Sequence, residues 1–95
     1  MNAILRDAGV VMMIDDCQSL RQNLNWYVFG SVIRNIESPS DIDILCVVKD
    51  QKTMRLVKER CEKHLLCAPI HLRLLTEKDE EALHFLEKTP VQRIL

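Results

Sequence analysis

The chain has 95 residues and a mass of 11.1 kDa, with 47% hydrophobic and 28% charged side chains. That fits one globular domain, residues 1–95, and excludes a TIM barrel or a complete two-half dinucleotide-binding fold. Lys plus Arg is 13 and Asp plus Glu is 14, a net charge of −1, so no basic excess exists to hold nucleic acid by charge. The only glycines, Gly9 and Gly30, are too few for a glycine-rich phosphate loop.

In chain order, Val10, Met13, Ile14, Cys17, Leu20 and Leu24 recur at spacings of three and four, which predicts a helix over residues 10–24 with Asn25 as its stop. Trp26-Tyr27-Val28-Phe29 then reads as a strand, ended by Gly30-Ser31. Residues 31–34 are expected to form a short helical turn, and residues 34–40 a loop shaped by Pro39. DIDILCVV, residues 41–48, predicts a strand whose first residues stand at the sheet's rim and whose remainder enters the core. Residues 52–66 present Met54, Val57, Cys61 and Leu65 on one helical face. In IHLRLL, residues 70–75, Ile70, Leu72 and Leu74 share one strand face and His71 and Arg73 the other. Thr76 with Asp79 suggests a capping box opening a last helix, with Ala82, Leu83, Phe85 and Leu86 as its apolar face. The tail VQRIL is apolar enough to pack, as a strand or as a partner-binding peptide. The expected class is α+β, a small mixed β-sheet with helices packed on it in the order α-β-β-α-β-α.

Four cysteines, Cys17, Cys46, Cys61 and Cys67, permit a disulfide framework. Cys46 lies in an apolar run and Cys17 on an apolar stripe, however, as buried reduced thiols do. No stretch approaches the length of a membrane span, and the first residues do not read as a secretory signal. A cytoplasmic protein with free thiols is expected. Cys61-x2-His64-x2-Cys67 mimics metal-ligand spacing, but its residues drift around a helix and lack a fourth ligand. A helix ending in sulfur and a capping-type histidine is the plainer reading.

The chemistry is concentrated in residues 29–48, FGSVIRNIESPSDIDILCVV. Asp41 and Asp43 are two apart on a strand, so both carboxylates leave one face with Cα atoms about 6.6 Å apart. Ile42 and Ile44 point the other way, into the core. Hard oxygen ligands at a strand's start suit Mg²⁺, which takes one or two carboxylates plus substrate phosphates. Gly30 permits a tight turn and close backbone approach. The N–H groups there, the Ser31 hydroxyl and Arg34 can grip phosphate oxygens. Each piece alone has a structural explanation, a turn or a solvated rim pair. The conjunction is specific.

These residues, Gly30, Ser31 and Arg34 followed by Ser40-Asp41-Ile42-Asp43, resemble the DNA polymerase β-type nucleotidyltransferase superfamily. They look most like its minimal nucleotidyltransferases. The resemblance implies transfer of a nucleoside monophosphate from an NTP, ATP being the expected one, to a hydroxyl. It implies Mg²⁺, with Mn²⁺ as the alternative, on Asp41 and Asp43. It also implies a nucleotide-binding set of Gly30, Ser31, Arg34 and Ser40. Members of this size often pair with a HEPN-domain toxin as its antitoxin, some by adenylylating it. Asn35 stands where members often carry glycine, a mild departure because Asn tolerates left-handed backbone.

The larger departure is the third carboxylate. Active members carry it on a later strand, and the corresponding strand here offers His71 and Arg73. His71 could serve as general base, since an ordinary imidazole titrates near neutrality. One metal could suffice, with Arg73 neutralising phosphate. Alternatively the chain is a degenerate member that binds and neutralises or regulates a partner without turnover, with His71 and Arg73 on a solvated strand face. Under either function an acceptor or partner protein is expected, or a homo-oligomer, and neither membrane nor nucleic acid is.

Overall fold

Two periodicities compete for the residues around Leu24, and strand alternation wins. The computed structural model describes residues 8–30, 42–67 and 69–94. Helix α1 spans Ala8–Asp16 and buries Val10, Met13 and Ile14. The helix expected through residue 24 stops there, and a 3₁₀ segment, Gln18–Asn23, follows. Strand β1 is Leu24–Phe29, with burial alternating residue by residue. Leu24 sits four after Leu20 on the helical stripe, but it also starts the alternation Leu24, Trp26, Val28. Pairing of Leu24 with Val48 across the sheet decides for the strand, so Asn25 lies inside β1 rather than stopping a helix.

Strand β2, Ile42–Val48, runs antiparallel to β1. Helix α2, Gln51–Cys67, carries the chain back to β3, Ile70–Thr76, which pairs in parallel with β2. Asp50 caps α2 by accepting the Thr53 backbone N–H at 2.8 Å, and that bond holds its carboxyl below the ordinary carboxylate range. The last predicted helix is two helices, α3, Glu77–Leu83, and α4, Phe85–Lys88. His84 between them is left-handed, with φ 52° and ψ 40°. The Glu80 carboxylate accepts the Leu86 N–H. The break turns Phe85 and Leu86 onto the sheet and leaves Ala82 and Leu83 exposed, contrary to the single apolar face expected. The tail forms β4, Val91–Arg93, antiparallel to β1. The sheet order is β3-β2-β1-β4, a mixed α+β arrangement.

The two sheet faces are unequal. Trp26, Val28, Ile42, Ile44, Cys46 and Val48 pack with α1 and α2 around Val10, Met13, Val57 and Cys61. The other face carries a smaller cluster of Leu45, Val47 and Leu75 under Tyr27, Phe29, Phe85 and Leu86. Period-two alternation puts Asp43, His71 and Arg73 on that second face. Asp16 ties the end of α1 to α2. It accepts from His64 Nε2 at 2.5 Å and from Lys63 at 3.2 Å, and the His64 bond, then Lys63, hold its carboxyl below the ordinary range. His64 thus bonds a neighbouring helix rather than capping its own. Cys61 turns to Cys17 instead, so the Cys61–His64 pair diverges; the Cys67 side chain lies outside the described residues. Among the described residues no helix is long and apolar enough to cross a membrane.

The capping box expected from the sequence is present. Thr76 Oγ1 accepts the Asp79 N–H at 3.0 Å, and Asp79 Oδ2 accepts the Thr76 N–H at 3.2 Å. Thr76→Ala should cost about 1–2 kcal/mol and lower the thermal midpoint by about 5–15 °C, read by circular dichroism melting.

Candidate functional site

The candidate site is built where β1 ends beside the start of β2. Asp43 pairs across the sheet with Phe29 on one side and with His71 on the other. Ile42 and Ile44, its neighbours in sequence, are buried at 5% and 0% exposure. The core therefore fixes the strand's rotation and sends the Asp43 side chain to the opposite face.

Gly30 follows Phe29 directly and adopts φ 75°, a left-handed conformation that costs glycine little and other residues more. It also needs to be glycine for room. A Cβ there would fall on the Asp43 carboxylate, 3.1 Å from its Cγ. The turn and the acid are thus mutually fitted: the missing side chain at 30 is the space the carboxylate occupies. Backbone and carboxylate are therefore in close approach.

His71 Nδ1 stands 3.7 Å from Asp43 Oδ1, beyond direct hydrogen-bond reach but within ion-pair range when the ring is protonated. The Asp43 side chain is 24% exposed and that of His71 is 67% exposed. The carboxylate is therefore partly shielded, where its field is less screened than at an open surface, and the imidazole is solvent-exposed. Arg73, one row further along β3, holds its guanidinium over the Phe85 ring at 4.9 Å from the centroid. Phe85 in turn meets Phe29 edge to face, with centroids 5.3 Å apart and planes at 82°. The result is a carboxylate and an imidazole flanked by an aromatic pair and a cation.

Gly30 and His71 each lie beside Asp43. Ser31, Arg34, Ser40 and Asp41 lie outside the described residues, as does the expected helical turn over residues 31–34. Among the described residues this site holds one carboxylate, and no group of three metal-ligating side chains occurs. Phe29 and Phe85 are absent from the sequence-derived site. Phe29 was legible through its place immediately before Gly30 in the strand alternation. Phe85 was not, because only the break at His84 turns it toward the sheet.

A family model described as a nucleotidyltransferase domain matches residues 11–94. No curated protein and no solved structure gives a significant match to the chain.

Proposed function

The chain belongs to the nucleotidyltransferase domain family, and from that premise we propose that it transfers a nucleoside monophosphate from an NTP, with ATP the expected donor, to a hydroxyl of a protein partner. The observation that carries this reading is the fit of the Gly30 turn against the Asp43 carboxylate. The acceptor oxygen attacks the α-phosphorus, the bond to the β-phosphate oxygen breaks, and pyrophosphate leaves. His71 would take the proton from the attacking hydroxyl, since it is exposed and in register with Asp43.

Hard carboxylate oxygen beside a close-approaching backbone suits Mg²⁺, or Mn²⁺ in its place, better than a softer metal. Asp43 would hold it, with Asp41 as the expected second ligand. When bound, such an ion would supply charge neutralisation on the phosphates. Ser31, Arg34 and Ser40 would complete the nucleotide contacts with Gly30. A HEPN-domain toxin, adenylylated and silenced by this chain in the manner of a minimal nucleotidyltransferase antitoxin, is the partner the resemblance suggests. The reaction would take place in the cytoplasm.

A second reading is favoured by a specific observation. Both outward positions of β3 that could supply a third acid are basic, His71 and Arg73. A chain of this fold that had lost turnover could still neutralise or regulate its partner by binding.

The test is to incubate the full chain with labelled NTPs, Mg²⁺ or Mn²⁺ and the product of the adjacent gene, and to look for label on that product. Label dependent on the chain supports transfer. A stable complex without label supports the binding reading. In the active case, His71→Ala should lower transfer by about 100-fold or more, read by label incorporation. An unchanged rate would exclude His71 as the base.

A further inference from the structure

The larger core contains a feature that nucleotidyl transfer does not use. Cys17 Sγ, at the end of α1, lies 3.7 Å from Cys61 Sγ on α2. Both residues are buried, at 1% and 0% exposure. They are 44 residues apart in sequence. A cavity of about 400 Å³ opens beside them, lined by Cys17 together with Gln18, Arg21 and Trp26. Cys61 does not line it. Cys46, the third thiol of this core, sits on β2, where burial pushes it up.

We infer that Cys17 and Cys61 form a reversible redox pair, in which a small peroxide entering by the cavity oxidises Cys17 and Cys61 resolves it to an intramolecular disulfide. The geometry assigns the two roles. Only Cys17 faces the cavity, so Cys17 meets the oxidant. The hydrogen bond to Cys61, then the charge of Arg60, lower Cys17 against its burial, while the same bond and burial push Cys61 up. The Cys17 thiolate attacks one oxygen of hydrogen peroxide, the O–O bond breaks, and hydroxide leaves, giving a sulfenic acid. Cys61 then attacks that sulfur, its proton and the sulfenic hydroxyl leave as water, and the S–S bond closes. Sulfur is oxidised and peroxide oxygen is reduced to water, so two thiols and one peroxide yield one disulfide and two waters.

The consequence is a staple between α1 and α2 behind the sheet that carries Asp43. The bond closes a long loop of the unfolded chain, which is where a cross-link constrains the denatured state most. It reinforces the exposed Asp16 contacts to Lys63 and His64 with a covalent one at the same helix pair.

The test uses the full reduced chain and hydrogen peroxide at a dose that spares the methionines. Remaining thiols are then alkylated, and the protein is digested with trypsin without reduction. The expected product is a peptide joining residues 7–21 to residues 61–63, lost on adding dithiothreitol. Two of the four cysteines should become unreactive, and the oxidised chain should melt several degrees above the reduced one. Cys46→Ser should leave the linked peptide in place, and Cys17→Ser should abolish it. The wild-type digest stands even if a variant fails to fold. Alkylation of both Cys17 and Cys61 after peroxide, a Cys17 sulfinic acid with no linked peptide, or a Cys17–Cys46 link would each overturn the pairing. An oxidised chain no more stable than the reduced one would remove the stapling role.

Discussion

Asp43→Asn should abolish metal-dependent NTP binding and lower any transfer by about a thousandfold or more, while the thermal midpoint stays nearly where it was. The argument rests on what the substitution changes and what it spares. Asn has the same shape, so it fits the space left by Gly30 and keeps the pairing with Phe29 and His71. What disappears is one negative charge in a partly shielded position. A hard divalent cation next to a triphosphate depends on such charge, and about 4 kcal/mol of lost transition-state stabilisation corresponds to that thousandfold. Calorimetry of Mg²⁺–ATP binding and a melting curve on the same sample separate the two effects. Wild-type nucleotide binding by the variant would remove Asp43 from the site. A large drop in midpoint would mean the carboxylate holds the fold rather than a ligand.

Much of this was legible because two independent signals agreed at the same residues. In DIDILCVV the apolar positions fix which face is buried, and that fixes where Asp43 points. In IHLRLL the same alternation separates Ile70, Leu72 and Leu74 from His71 and Arg73, as the structure has it. Thr76 and Asp79 carry local chemistry that needs no tertiary context, and the capping box is formed. The misplaced boundaries lie where local signals were ambiguous. Leu24 satisfied a helical and a strand period equally well, and only cross-strand pairing chose. His84 has no sequence mark of a helix break. Its left-handed turn is supported by the Glu80 carboxylate reaching the Leu86 N–H, a contact invisible to periodicity. The tail was ambiguous for the same reason, since three residues at a sheet edge acquire strand character only from the partner they pair with. Within the site, the Gly30–Asp43 fit joins residues thirteen apart through the β1–β2 pairing. Sequence could propose that they share a cleft but not that one occupies the space the other leaves.

Ile44→Ala should have the opposite profile to Asp43→Asn, although the two residues are adjacent. Ile44 is 0% exposed. It lies between Val28 on β1 and Leu72 on β3, in the core that α1 and α2 cover. Removing its outer methyl and methylene groups leaves a cavity that two neighbouring strands and two helices cannot easily close. The expected cost is about 3–5 kcal/mol, a fall in thermal midpoint of about 12–40 °C for a domain of this size. Against a total stability of about 5–15 kcal/mol, that brings the variant close to unfolding at physiological temperature. Ile44→Val should lose only about 1 kcal/mol, because a single methylene is removed. The graded series is the check: denaturant melts that order wild type, Val and Ala identify cavity cost, whereas equal losses for Val and Ala would point to a change in strand conformation instead. Below its melting temperature the Ala variant keeps Asp43 and Gly30 in place, so its nucleotide binding should stay close to wild type. One strand would then divide its labour by alternate residues, with the inward side chain holding the sheet together and the outward one available to a ligand.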